Sequence, residues 1–337
     1  MALEDRALGR TGLQVPELCL GTMTFGFQCD QETSFAILNR AFDSGIRFVD
    51  SADVYPLGGS LETVGRTEEI LGRWMRERKN RDSVILATKC AGTMGPGPND
   101  VGLSRFHIQH AIEASLRRLG TDTIDLYQVH SFDPRTPIEE TLRALEDIVR
   151  SGKARYIGCS NYSAWRLAQA ISTSERLGTA RYDSVQPRYN LLYREIETEL
   201  LPLCRSEGLG VIVYNPMAGG FLSGKYTKGD DPWEGGRFQL GTAGRRYQQR
   251  YWHDAQFDAV DSFREEITAR GQTPAAVAIA WVLAQPGVTS AIVGASSPDQ
   301  LGASLEAVDL ELDDELKKIC DQMWWTIPRR PVLEGYR

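Results

Sequence analysis

Four residues in the first 130 positions have side chains suited to moving a proton at a carbonyl oxygen. Three short apolar runs each stop at an ionisable group. Ile-Arg-Phe-Val ends at Asp50, Val-Ile-Leu-Ala-Thr at Lys89 and Ile-Asp-Leu-Tyr-Gln-Val at His130. Tyr55 adds a phenol five residues beyond Asp50. A free phenol has a pKa of about 10, too high for easy proton exchange near neutrality. An ammonium beside it favours the phenolate and lowers that value. A buried lysine keeps its charge only with a carboxylate partner. The roles therefore interlock: Tyr55 as acid and base, Lys89 as its tuner, Asp50 as the anchor of Lys89, His130 as the donor that orients the substrate oxygen. Asp53 stands as the alternative lysine partner, although an aspartate in a loop commonly caps a turn.

Such a set converges only if the strands that carry it are parallel neighbours. Runs with the length and β-branched content of strands appear at 18–20, 47–49, 84–88, 124–129, 154–158, 184–186, 211–213 and 290–293. Helix-period segments lie between them, at 32–43, 105–119, 138–149, 164–172, 195–207 and 274–284. Ser163, Thr136 and Thr273 mark helix starts, the last two followed by proline at the first helical position. Regular β-α alternation points to a parallel sheet, and eight strands favour a closed (β/α)8 TIM barrel. In that fold the site sits at the C-terminal strand ends, so Asp50, Lys89 and His130 share one mouth. Segments 6–8 and 13–15, split by Gly-Arg-Thr-Gly, form an N-terminal β-hairpin cap. A long loop after strand seven, 225–253, is the largest insertion, and no linker divides residues 1–337 into more than a single domain.

Bulk properties narrow the function. The 337 residues are 42% hydrophobic and 25% charged, enough for a large core. A net charge of −7 disfavours nucleic acid and anionic membrane as partners. Six scattered cysteines without CxxC spacing, and the absence of an apolar stretch of membrane-spanning length, read as a cytoplasmic chain. His107 and His110 share a helix face at i, i+3 as surface residues, with no acid or third histidine to complete a metal site.

The chain resembles the aldo-keto reductases. The resemblance rests on Phe48-Val-Asp-Ser-Ala-Asp-Val-Tyr55, Ala87-Thr-Lys89, Leu126-Tyr-Gln-Val-His130, Gly158-Cys-Ser-Asn161, Gln186 with Tyr189-Asn190, and Tyr214 through Tyr226. It spans nearly the whole chain and looks closest to the bacterial and plant branch that includes relatives of potassium-channel β-subunits. It implies NADPH bound without a Rossmann motif, with NADH as the alternative, and a small carbonyl compound as substrate. Ser160, Asn161 and Gln186 would hold the nicotinamide amide, and Tyr214 would stack on the ring. Contacts would also come from Gly21, Thr22 and Met23 at one strand end, and from Asp50. Asn215, Pro216, Met217, Gly219 and Lys225 would follow strand seven, with Arg237 as a second pyrophosphate contact. Gly294, Ser296, Gln300 and Ser304 would take the adenosine 2′-phosphate end, where a helix N-terminus suits an anion. Here the chain departs from the family, because no basic residue lies between Val293 and Leu316.

Two further patterns stand in the chain after strand seven. Gly219 to Lys225 fits G-x-x-x-x-G-K, but Tyr226 replaces the magnesium-binding hydroxyl and Pro216 argues against an immediate helix. Backbone amides and Lys225 there suit a diphosphate. Arg237, Arg245, Arg246 and Arg250, interleaved with Trp233, Phe238, Tyr247, Tyr251 and Trp252, resemble a single-strand nucleic-acid groove. In an acidic protein a lid over an anionic cofactor is the better reading. Met23, Phe25, Tyr55, Phe132 and Met217, with Trp252, Trp324 or Trp325, are the expected substrate walls. The rival function is a cofactor-sensing binding protein of the channel β-subunit type; the short segment before Leu8 favours the plain enzyme.

Overall fold

In the computed structural model the described residues are 3–232 and 236–328. Trp233, one aromatic of the insertion, lies outside them. Two short strands, β1 (Asp5–Ala7) and β2 (Gln14–Pro16), form an antiparallel hairpin with Arg6 opposite Val15. Eight parallel strands then close a barrel: β3 (Leu18–Gly21), β4 (Phe48–Asp50), β5 (Ile85–Cys90), β6 (Ile124–Val129), β7 (Ala154–Ser160), β8 (Ser184–Gln186), β9 (Gly210–Tyr214) and β10 (Ser290–Gly294). The strands pair in chain order and β10 closes on β3.

Side-chain alternation along each strand builds the barrel in layers. Cys19, Phe48, Ala87, Leu126, Ile212 and Ile292 fill an apolar layer inside. Leu8 and Val15 of the hairpin join that cluster and plug the lower end. Two residues further along the same strands come Gly21, Asp50, Lys89, Gln128, Tyr214 and Gly294. The polar groups thus occupy the next layer up, at the C-terminal mouth. A second, larger core lies between the barrel and its helices.

The outer helices are α1 (Gln31–Asp43), α2 (Arg66–Arg78), α3 (Arg105–Leu119), α4 (Ile138–Arg150), α5 (Ala164–Leu177), α6 (Leu200–Glu207), α7 (Gly241–Tyr251), α8 (Asp254–Ala269), α9 (Pro274–Leu283), α10 (Gly302–Asp309) and α11 (Asp314–Thr326). Asp30 caps α1 by accepting from the Thr33 amide, and Asp313 caps α11 in the same way. Several expectations need correction. The segment expected to be one helix at 195–207 is a 3-10 turn at Glu195–Glu197 followed by α6. Pro137 precedes α4 instead of starting it, since the Thr136 hydroxyl is drawn to the Asp133 carboxylate. Within the long loop after strand seven, α7 is helical. Gly244, Tyr247 and Tyr251 form its buried face, and the two tyrosine rings supply the apolar area that Leu or Ile normally would. His107, expected at the surface, is buried because α3 packs that face inward and its Nδ1 lies 3.0 Å from the Asn99 carbonyl.

Candidate active site

Lys89 is fully buried at the centre of the polar layer. Its Nζ donates to Asp50 Oδ2 at 2.5 Å and to the Ser51 carbonyl at 2.7 Å. Asp53, weighed as the alternative partner, makes no such bond. It is buried behind the strands, and burial, reinforced by nearby Glu68, raises its carboxyl pKa well above the usual range. The second oxygen of Asp50 accepts from Gln186 Nε2 at 2.9 Å and from Gln128 Nε2 at 3.2 Å. Burial works to strip the Lys89 proton, but Asp50 and the Tyr55 phenol outweigh it, so its pKa is raised.

Tyr55 stands over the ammonium, with its ring centroid 5.2 Å from Nζ. The His130 ring lies edge-on to that of Tyr55, centroids 5.8 Å apart. His130 extends the β6 ladder by donating its backbone N–H to the Cys90 carbonyl at 2.8 Å. Desolvation, then the positive charges of Lys89 and Arg246, push its pKa down to about 3. The imidazole is therefore neutral at physiological pH. The four residues singled out in sequence meet around one point.

Thr22, Ser160, Asn161, Gln186 and Tyr214 are bonded to that cluster or to one another. The Ser160 hydroxyl donates to the Gln186 carbonyl at 2.8 Å, and Asn161 Nδ2 donates to the His130 carbonyl and to Ser160 Oγ, both at 2.9 Å. The Tyr214 hydroxyl donates to Asn161 Oδ1 at 2.9 Å, which orients its ring at the end of β9. On the opposite side Gly21 and Gly294 are register partners, so β3 and β10 present no side chain in this layer. The Thr22 hydroxyl donates to the Asp50 carbonyl at 2.9 Å. After β9, Asn215 takes positive φ, its side chain accepts from the Gly219 amide, and Pro216 and Met217 lead into 3-10 turns over Ala218–Ser223. No P-loop helix follows. Gly219 and Gly220 are also at positive φ, and a Cβ on Gly219 would meet the Tyr247 ring at 2.8 Å. Burial, and then the charge of Arg237, lower the Lys225 pKa, so the two cations share one half-buried place. Arg237 also donates to Met23 Sδ at 3.3 Å.

Glycine-lined strand ends, an oriented tyrosine, an amide cluster and a paired cation site fit a nicotinamide dinucleotide. The segment expected to take an adenosine 2′-phosphate, residues 294–304, has no basic residue of its own. There Gln300 Oε1 accepts from both the Ser296 amide and its hydroxyl, at 2.9 and 3.1 Å, and Ser304 is buried in α10. Among the expected substrate walls, Phe25 is fully buried in the outer core, whereas Trp325 is 73% exposed. Met217, Phe132 and Trp252 are partly buried. Gln128 was not singled out in sequence, although its position two residues before His130 on an inward-facing strand was the available signal.

A closed eight-stranded barrel carrying a Tyr, Lys, Asp and His cluster at its mouth defines a recognised class of oxidoreductase. Residues 17–324 match the Aldo/keto reductase family, and the chain belongs to that family. It is 40% identical to the uncharacterized oxidoreductase YrpG of Bacillus subtilis, covering 96% of each chain. It is 38% identical to a probable voltage-gated potassium channel subunit beta of Arabidopsis thaliana, over 99% of this chain and all of that one. Against an L-glyceraldehyde 3-phosphate reductase of Escherichia coli identity is 35%, over 91% and 88%. Among the described residues no helix is long and apolar enough to cross a membrane.

Proposed function

We propose that this protein reduces an aldehyde or ketone to an alcohol, with Tyr55 as the proton donor and NADPH as the reductant. One observation carries the reading: a buried, charged Lys89 clasped by Asp50 below, with the Tyr55 ring above it and a neutral His130 beside that ring. The bound nicotinamide would supply hydride to the carbonyl carbon. Lys89 lowers the cost of forming the Tyr55 phenolate after proton release, because a cation next to a phenolate stabilises it more as water is excluded. Asp50 holds Lys89 in place, and Gln128 and Gln186 hold Asp50. His130 donates to the substrate oxygen and fixes which lone pair faces Tyr55. Ser160, Asn161 and Gln186 would present donors and acceptors to the carboxamide, and Lys225 and Arg237 would neutralise the diphosphate. The cytoplasm suits a chain whose six cysteines are all unpaired.

The full-length likeness to plant proteins named as probable channel subunits favours a second reading, a cofactor-sensing binding protein. The same site residues would serve both, and turnover separates them. A panel of aryl and aliphatic aldehydes and ketones, assayed in parallel with NADPH and NADH, is the test. Sustained oxidation of NADPH by at least one carbonyl class supports the reductase. Tight cofactor binding without multiple turnover on any of them supports the sensor.

A further inference from the structure

On the outside of the barrel, α2 and α3 flank a cleft of about 340 Å³. Its lining is Glu69, Arg73 and Arg76 from α2, with Arg117 and Arg118 from α3. The spacing 69, 73, 76 places the three α2 residues on one helix face. Arg117 and Arg118 come from the last turn of α3, and Gly72 lets the two helices approach closely.

Two of the four arginines are held in place. Arg118 Nε donates to Glu68 Oε2 at 2.7 Å, and its terminal nitrogen donates to Ser115 Oγ at 3.3 Å. Glu68 is itself fully buried and fixed by the Thr88 hydroxyl. Arg73 Nε donates to the Glu69 carbonyl at 3.3 Å. Both arginines are half-buried, whereas Arg76 and Arg117 are exposed. Among the described residues the Arg76 and Arg117 side chains make no hydrogen bond or ion pair. The acids near them do not compensate. Glu69 and Glu77 lie one turn either side of Arg73 without closing an ion pair, and Glu113 is taken by Lys153.

Guanidinium groups gathered on neighbouring turns repel one another, and a multiply charged anion relieves that repulsion. Their planar N–H forks match phosphate oxygens in particular. The volume falls at the lower end of the range of small-molecule sites, about 300–1,000 Å³. Such sites are mostly apolar, but this lining includes no aromatic or aliphatic residue, so it offers nothing to grip a nucleobase. Recognition here is by charge.

We propose that the α2–α3 cleft binds a polyphosphate chain, inorganic or the triphosphate of a nucleotide, through Arg73, Arg76, Arg117 and Arg118. The cleft is separate from the barrel mouth, and its ligand is independent of the carbonyl chemistry proposed there.

Titration calorimetry with tripolyphosphate and with ATP, both free of metal, tests the site. Three proteins are compared: wild type, Arg76→Ser/Arg117→Ser, and Lys225→Met/Arg237→Met, which removes the cations expected at the cofactor diphosphate. Both ligands should bind wild type with Kd values within about threefold of each other, since only the phosphates are held. Binding should weaken by at least about 10-fold in Arg76→Ser/Arg117→Ser, persist in Lys225→Met/Arg237→Met, and fall with added salt. Thermal unfolding gives a second reading. Without ligand the Arg76→Ser/Arg117→Ser protein should be at least as stable as wild type, because like charges have been removed. Tripolyphosphate should raise the Tm of wild type and not of that variant. No binding of tripolyphosphate overturns the proposal. So does binding that Lys225→Met/Arg237→Met loses and Arg76→Ser/Arg117→Ser keeps, which would give the anion to the cofactor place. ATP binding without tripolyphosphate binding overturns it by showing that the nucleoside is recognised. A hexaglutamate peptide that binds as tightly as tripolyphosphate also overturns it, in favour of docking by an acidic protein.

Discussion

At the scale of single residues, the buried Lys89–Asp50 pair is where stability is most sensitive to substitution. Removing one member of a buried, hydrogen-bonded pair leaves the other charge uncompensated and costs about 3–5 kcal/mol. Lys89 has only the Ser51 carbonyl besides Asp50, whereas Asp50 keeps two amide donors, Gln128 and Gln186. Urea unfolding should therefore show Asp50→Ala to be more destabilising than Lys89→Met. The double variant should cost less than the sum of the singles. His130 carries a separate prediction. Because its pKa is held at about 3, its imidazole resonances should show no protonation step between about pH 5 and pH 8. A titration near the ordinary histidine value, read by NMR, would remove it as a neutral donor.

The positions of Asp50, Lys89, Tyr55 and His130 were legible because each strand announces its end by a change from apolar to ionisable. Gln128 was not legible, because its meaning depends on Asp50 and Gln186, which other strands bring beside it. Asp53 looked like a turn residue, and only the packing of Glu68 on α2 shows it to be a buried acid.

Elements decide how these residues are held. The eight strands could be read from their apolar runs, but α2, α7, α8 and α11 escaped, α2 and α7 for a shared reason. Neither has a side-chain cap at its N-terminus, and each is preceded or opened by glycine. Their faces are also hard to recognise as buried: α2 hides Glu68 against Thr88 and Arg118, with bonds of 2.6 and 2.7 Å. Close approach of α2 to α3 depends on Gly72, where a Cβ would lie 2.5 Å from the Arg118 carbonyl and 2.8 Å from Leu119 backbone atoms. Backbone does not yield as a side chain would, so Gly72→Ala should destabilise by about 1–3 kcal/mol despite alanine's better helix propensity. Gly302→Ala, at the start of α10 with nothing within 4 Å of the new Cβ, should be neutral or slightly stabilising. Equal effects in denaturant titrations would mean that the α2–α3 contact is looser than described.

The whole molecule is a barrel plugged at one end by Leu8 and Val15 and open at the other around the polar layer. Two histidines link its stability to pH. Burial lowers the pKa of both His107 and His130 below the ordinary value, so the unfolded chain binds more protons than the folded one as pH falls through the usual histidine range. Their contribution is fully present above that range and is lost on acidification towards the folded values. Unfolding free energy should therefore fall between about pH 7 and pH 5 by more in wild type than in a His107→Gln/His130→Gln variant. An identical slope in the two proteins would show that neither histidine is held neutral.

The central claim is that the Tyr55 hydroxyl delivers the proton while its neighbours only prepare it. Single-turnover oxidation of pre-bound NADPH by a reactive aldehyde, followed through the nicotinamide absorbance in wild type and Tyr55→Phe, tests it most directly. The account predicts unchanged cofactor affinity and a hydride-transfer rate lowered by about 10²- to 10⁴-fold in the variant. A Tyr55→Phe protein that oxidises NADPH at the wild-type rate would contradict it.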